Sequence, residues 1–315
     1  MLNTDKIITE IMPRLDKRKP KKVLLQAPEG LKTRIQKISD AIEKKGIECI
    51  IHADPTYGAC DIPDFAAKML GCDLIVHIGH TKMINNSIVP VEYIEVFSNA
   101  DILTLLKKHI DKLKKFKTIA LTTTVQHVKK LEIIKEFLES KGHTVLIGKS
   151  KNLPYKGQVL GCDPTAAIVK NADAILYIGS GTFHPLGITK ATKTPIYVFD
   201  IETEELVNLK KEQELYEKKC ILKVIKYNDA KNIGLLVSTK KGQFNENTSK
   251  IVKIIKKEGK NAWILNMEHI SPDKIEGMTL EVIVNTACPR IEDDLVYHLP
   301  IVNWSTILRI NKEVL

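Results

Sequence analysis

At 315 residues, with 43% hydrophobic content, the chain exceeds one ordinary domain, and its length suggests two or three lobes with real cores. A formal charge of +10 and a pI near 9.1 suit an anionic partner, but aromatics make up only 5% and no basic stripe is interleaved with them, so nucleic acid is not expected as the main partner. No apolar run approaches the ~20 residues of a membrane span and the first residues hold no apolar signal core, so the expectation is a soluble, cytoplasmic protein without a membrane partner.

A first helix is expected to end near residue 18. Residues 22–27 then read as a buried parallel strand, being a short apolar run between Lys and Pro. Pro28-Glu29-Gly30 turns the chain into a helix over 31–45, and a strand at 47–53 leads to the loop that holds Cys60. A short helix at 61–70, strands at 73–79 and 91–97 and a helix at 101–115 complete the unit.

The pattern restarts with a strand at 117–124, a helix over 125–141, a strand at 143–148 and the loop of Cys162. A short helix at 163–171 precedes Asp173-Ala174-Ile175-Leu176-Tyr177-Ile178-Gly179, an echo of Asp73-Leu74-Ile75-Val76-His77-Ile78-Gly79 that marks an internal duplication. Residues 202–219 read as a charged connecting helix. A third unit follows, with strands at 232–238, 262–267 and 280–285 and a helix at 245–258.

These alternations imply an α/β protein of three related lobes, 1–115, 116–230 and 231–315, with parallel sheets flanked by helices in a pseudo-threefold arrangement around a central site. Ligands of such sheets lie beyond the carboxyl ends of the strands.

Six cysteines are scattered along the chain, and without an export signal they read as thiols or ligands in a reducing compartment. No CxxC pair occurs, which argues against a zinc ribbon or thioredoxin-type site, and the usual hydrolase, zinc-protease, P-loop and dinucleotide motifs are absent. Cys49, Cys72 and Cys220 sit in core or helical settings. Cys60 and Cys162 occupy the same slot of the repeat, each ahead of an expected short helix whose amides favour a thiolate. Cys288 comes instead just after a strand, so the lobes are related but the site is asymmetric. One cysteine per lobe suits three irons of a cubane with the fourth iron open to a ligand.

Around them, Gly179, Ser180, Gly181 and Thr182 end a strand, as Gly79-His80-Thr81 does, and backbone amides there can approach an anion. Lys240-Lys241-Gly242-Gln243 follows another first strand, and Arg290 offers a guanidinium two residues beyond Cys288.

On Gln26-Ala27-Pro28-Glu29-Gly30-Leu31, Tyr57-Gly58-Ala59-Cys60-Asp61, Gly79-His80-Thr81, Leu160-Gly161-Cys162-Asp163, Ser238-Thr239-Lys240-Lys241-Gly242-Gln243 and Thr286-Ala287-Cys288-Pro289-Arg290, the chain resembles the archaeal 2-(3-amino-3-carboxypropyl)histidine synthase family of diphthamide biosynthesis. The resemblance implies one [4Fe-4S] cluster per chain on Cys60, Cys162 and Cys288, with S-adenosylmethionine as co-substrate at the open iron. It also implies transfer of a 3-amino-3-carboxypropyl group, by radical chemistry, to C2 of a histidine on the translation elongation factor that drives translocation. A homodimer and an unidentified electron donor complete what it implies. Gly179, Ser180, Gly181, Thr182, Gln243 and Arg290 are expected to fix the sulfonium ligand, while His80, His184 and Asp294 are candidates for an unassigned catalytic role. The rival readings are a quinolinate synthase-like iron–sulfur enzyme and a non-enzymatic, basic ribosome-associated binding protein.

Overall fold

The apolar runs form three sheets with parallel centres in a computed structural model that describes residues 4–293 and 298–314. The first contains β1 (Lys22–Gln26), β2 (Glu48–Ile51), β3 (Leu74–Ile78) and β4 (Val91–Ile94), in the order β2-β1-β3-β4. The second contains β5 (Thr118–Thr123), β6 (Thr144–Leu146), β7 (Ala174–Gly179), β8 (Ile196–Asp200) and β9 (Glu205–Asn208), in the order β6-β5-β7-β8-β9. The third contains β10 (Asn232–Val237), β11 (Asn261–Asn266), β12 (Val282–Asn285) and β13 (Ile301–Asn303), in the order β11-β10-β12-β13. In each, the first strand pairs in parallel with both the second and the third.

Helices cover these sheets with apolar faces at helical spacing. α1 (Thr4–Arg18) turns Ile7, Ile11 and Leu15 inward and α2 (Lys32–Glu43) turns Ile35, Ile38 and Ile42, all into the core of the first sheet. α3 (Asp64–Met69) and α4 (Ile102–Lys107) are short; α5 (Leu131–Ser140) buries Leu131, Ile134 and Leu138 against the second sheet. Past α6 (Phe183–Thr189), α7 (Lys210–Asp229), α8 (Thr248–Lys257) and α9 (Trp304–Val314) enclose the third core, to which they bring Val224, Ile251, Ile255, Ile307 and Ile310. Each fully buried aliphatic side chain contributes about 1.5–3 kcal/mol relative to exposure.

One device recurs in all three sheets. The Asp73 carboxylate accepts from the amides of Lys21 and Lys22, that of Asp173 from Lys117 and Thr118, and that of Glu281 from Lys231 and Asn232. An acidic residue ahead of the third strand thus fixes the start of the first. The Asp73/Asp173 echo in the sequence is this clamp, and the third sheet makes it with one more methylene.

Several element boundaries differ from expectation. The helix expected over 163–171 is only a 3-10 turn at Thr165–Ala167, since Asp163-Pro164 starts it late and Asn171 leaves it with a φ of 63°. The helix expected over 61–70 starts at Asp64, after Pro63, so neither Cys60 nor Cys162 lies directly against a helix N-terminus. Residues 202–219 are not one helix: β9 occupies Glu205–Asn208, and α7 runs from Lys210 to Asp229. Residues 125–141 begin as a 3-10 stretch, Val125–Lys130, before α5.

The chain divides into two compact units: Met1–Val159 with Thr165–Gly181 and Tyr197–Val207, and Leu160–Pro164 with Thr182–Ile196 and Asn208–Leu315. The Cys60 loop belongs to the first unit and the Cys162 and Cys288 loops to the second.

Candidate functional site

In the first unit, β2 delivers the chain to the turn that ends at half-buried Cys60. The Asp61 amide donates to the Gly58 carbonyl (3.0 Å), closing that turn. The Asp61 carbonyl in turn accepts from Gln26 Nε2 (2.8 Å), so the last residue of β1 holds the residue after the cysteine. Gln26 is itself buried, and its Oε1 accepts from His77 Nδ1 (2.6 Å), on the paired strand β3. His77 Nε2 meets His80 Nδ1 at 2.9 Å. Burial drives both imidazoles toward the neutral form: His77 lies well below the usual range, aided by the neighbouring His80, and His80 is held at about 4. Gly79 makes this turn possible, because its φ of +95° is glycine territory and a Cβ there would lie 3.1 Å from the Pro28 ring.

In the second unit, exposed Cys162 sits in a loop built by α6. A Cβ on Gly187 would meet the Gly161 carbonyl oxygen at 2.4 Å, so only glycine lets this helix lie against the loop backbone. His184, also on α6, accepts at Nδ1 from the Gly161 amide (3.1 Å), a contact that orients the Cys162 loop and places the ring's own proton on Nε2.

The Cys288 loop follows β12 and rests on a buried polar network. Asn285 Nδ2 donates to the Cys288 carbonyl (2.8 Å) and to Asn303 Oδ1 (2.6 Å), on the paired strand β13. Asn303 Nδ2 donates to the Pro289 carbonyl (2.9 Å) and to Glu292 Oε2 (2.7 Å), and its amide donates to Glu292 Oε1 (2.8 Å). Tyr216 of α7 donates to the same carboxylate (3.2 Å), and Lys223 donates to the Glu292 carbonyl. At 2%, 5% and 1% exposure, Asn285, Asn303 and Glu292 satisfy one another where water does not reach.

Two loops of the second unit meet. The Arg290 guanidinium stacks on the Phe183 ring at 3.2 Å from its centroid, and Gly161 lies against both, a Cβ there being 3.6 Å from Arg290 Cδ and 3.5 Å from the Phe183 ring. Gly161 directly precedes Cys162, and Arg290 lies two residues beyond Cys288. Lys190, the residue directly after α6, pairs with Asp293 (2.5 Å), a second tie between this segment and the Cys288 loop.

The remaining candidates are more dispersed. Gly179 closes β7 against Tyr177, where a Cβ would lie 2.5 Å from the hydroxyl oxygen, and Ser180 is exposed. The Gly181 amide already donates to Asp200 Oδ2 (2.8 Å), so that nitrogen of the expected anion nest is committed to a carboxylate. Thr182 is exposed and its carbonyl accepts from Leu186 in α6. Gln243 is half-buried in the turn after β10, its amide donating to the Lys240 carbonyl (2.9 Å). Asp294 lies outside the described residues. Sequence reading missed Phe183, Gly187, Asn303 and Glu292; the doubled Ile-Val-Asn that ends β12 and β13 was the available signal for the asparagines.

Among the described residues no group of three or more His, Cys, Asp or Glu side chains is gathered tightly enough for a single metal ion. A cubane spaces its thiolates more widely than one ion does. The thiol donors of Cys60, Cys162 and Cys288, each in a loop beyond a strand end and exposed or half-buried, have the chemistry and access an iron–sulfur cluster requires.

Residues 27–305 match the family described as "Putative diphthamide synthesis protein". The chain is 38% identical to the 2-(3-amino-3-carboxypropyl)histidine synthase of Pyrococcus horikoshii over 91% of its own length and 84% of that protein's. It is 32% identical to the synthase of the same name from Methanocaldococcus jannaschii, over 95% and 86% of the two chains. The fold is also similar to a crystal structure of Dph2 from Pyrococcus horikoshii with a 4Fe-4S cluster, with a TM-score of 0.90, 35% identity and coverage of 99% and 91% of the two chains. The chain therefore belongs to the diphthamide synthesis protein family and is an enzyme of the transferase class for which its relatives are named.

Proposed function

We propose that this enzyme transfers the 3-amino-3-carboxypropyl group of S-adenosylmethionine to C2 of a histidine on the translocation elongation factor, the first step of diphthamide biosynthesis. The observation that carries this reading is the 38% identity, over 91% of the chain, to a 2-(3-amino-3-carboxypropyl)histidine synthase. A 35%-identical relative holding a 4Fe-4S cluster supports the metal. Cys60, Cys162 and Cys288 would hold one [4Fe-4S] cluster, leaving one iron open to S-adenosylmethionine. When bound, the cluster supplies the electron that breaks the bond between sulfur and the aminocarboxypropyl carbon, giving methylthioadenosine and a carbon radical.

The chain's own residues contribute orientation and shelter. Which carbon–sulfur bond breaks depends on which carbon is aligned, so the sulfonium ligand must be fixed at its amino-acid end. Arg290 is suited to the carboxylate: its guanidinium carbon lies 3.2 Å from the centroid of the Phe183 ring, and its fork of N–H donors matches a carboxylate. Gly179, Ser180, Gly181, Thr182 and Gln243 remain proposed contacts for the same ligand, with the Gly181 amide the weakest of them because of Asp200. His184 is better read as a residue that positions the Cys162 loop than as an acid or base. The reading includes a cytoplasmic homodimer and an external one-electron donor. Among the described residues no helix is long and apolar enough to cross a membrane.

The test is anaerobic incubation of the reduced, cluster-loaded protein with S-adenosylmethionine and the elongation factor. Methylthioadenosine release together with a mass gain of one aminocarboxypropyl group on the factor is the expected result. Quinolinate formed from iminoaspartate and dihydroxyacetone phosphate, with no methylthioadenosine, would overturn it.

A further inference from the structure

The Gln26–His77–His80 row has a direction that its chemistry fixes. The Asp61 carbonyl can only accept, so the Gln26 amide must turn its nitrogen to it and its oxygen to His77. His77 therefore carries its proton on Nδ1, and its Nε2 is a bare lone pair. That lone pair can be met only by a donor, so His80 is protonated on Nδ1 and is left with a bare Nε2 as the outer end of the row. Carbonyl, amide, imidazole and imidazole all point the same way. The inner members are sealed, His77 and Gln26 at 0% exposure with the Tyr93 ring 5.4 Å from His77, whereas His80 is half-buried in the loop beyond β3.

A row of this kind is costly to bury unless every member is satisfied, and among the described residues no group donates to its half-buried outer end. We propose that His80 Nε2 is a binding residue for the protein substrate, accepting a hydrogen bond from the ring N–H of the histidine that is to be modified and so fixing the orientation of its C2. This ligand rests on the function proposed above; the direction of the row does not. An uncharged acceptor at the end of an uncharged row matches a neutral imidazole N–H, which would extend the row by a third ring with the same polarity. An ammonium group is normally held by carboxylates or several carbonyls, and no carboxylate belongs to this row.

Two substitutions separate the roles of the two ring nitrogens. In His80→Asn the amide nitrogen replaces Nδ1 and still donates to His77, but nothing stands where Nε2 was. In His80→Gln the amide oxygen reaches the Nε2 position and keeps the outer acceptor. The expected result is a KM for the elongation factor raised roughly tenfold in His80→Asn, with the KM for S-adenosylmethionine unchanged, and a value close to wild type in His80→Gln. Equal loss in both variants would reduce His80 to a structural residue, and a raised KM for S-adenosylmethionine would assign the acceptor to its ammonium; either overturns the proposal. Long-range proton–nitrogen NMR of the full chain supplies a readout that needs no turnover. His77 and His80 both protonated on Nδ1 is the expected result, and a His80 protonated on Nε2 contradicts it. A wild-type enzyme that leaves the factor unmodified removes the assigned ligand along with the proposed function, and the NMR result then tells that failure from a failure of the row.

Discussion

The Cys60 and Cys288 loops are held by opposite means. The first hangs from a neutral row, in which Gln26 takes the Asp61 carbonyl and buried imidazoles complete the chain. The second rests on the Glu292 carboxylate, shared by the Asn303 amide and side chain and by Tyr216. Both follow the same rule, that a loop beyond a parallel strand end needs partners for its own polar backbone. They differ because Cys60 lies between the second and third strands of its sheet and Cys288 after the third. A neutral support adds no charge near a thiolate, whereas a carboxylate anchors more donors at once. Damage to the two supports should therefore register differently.

The largest effect should come from Glu292→Ala. It leaves Asn303 and Tyr216 buried without their acceptor, and a loss of about 3–5 kcal/mol in denaturant unfolding is expected. A loss under about 1 kcal/mol would mean that water replaces the carboxylate and that the network is not the support of the Cys288 loop.

Acid should act on the first unit next. Buried His127, whose Nδ1 has no partner among the described residues, is held at about 4 by desolvation against an ordinary 6.5, and His77 is lowered as well. The unfolded chain takes up these protons near pH 6.5 while the native one refuses them until about 4. Stability is thus complete above that window and falls as pH drops through it, by about 3 kcal/mol at pH 4 for His127 alone. His127→Gln should flatten the pH profile of unfolding; an unchanged slope would show that this imidazole is not held neutral.

Gly187→Val tests the Cys162 loop. The added side chain meets the Gly161 backbone, and a cost of about 1–3 kcal/mol is expected in thermal or denaturant unfolding. A neutral outcome would mean that α6 does not press on the loop. The smallest effect is reserved for Arg290→Ala, which should weaken S-adenosylmethionine binding by calorimetry roughly tenfold, the loss of one charge-assisted contact, with little change in stability. Unchanged affinity would remove Arg290 from the ligand.

Much of this was legible in the residues. The β-branched and leucine runs that became β1, β3, β5, β7, β10 and β12 are apolar on both faces, as buried parallel strands must be. The matched slots of Cys60 and Cys162 were readable from the Asp73/Asp173 echo. α6 was not, because Pro185 and Gly187 argue against a helix; Pro185 lies in the first turn, where its missing N–H costs little, and Gly187 is there for contact with Gly161. β9 was hidden for another reason: its exposed edge carries the same charged and polar residues as the helix that follows. Glu292 looked like one more acidic residue beside Asp293, since only the paired ends of β12 and β13 bring it its partners. His77, a lone polar residue in an apolar strand, gave its burial away but not the direction of its hydrogen bonds.

The central claim is that three thiols distant in the sequence hold one cluster. Its most direct test is iron and sulfide analysis of anaerobically purified wild type, Cys60→Ala, Cys162→Ala and Cys288→Ala, with Cys220→Ala as a control for a buried thiol of the core. Iron and sulfide matching one [4Fe-4S] cluster per chain in wild type and control, with marked loss in each of the other three, is the predicted result. Full retention of iron by all three variants would contradict it.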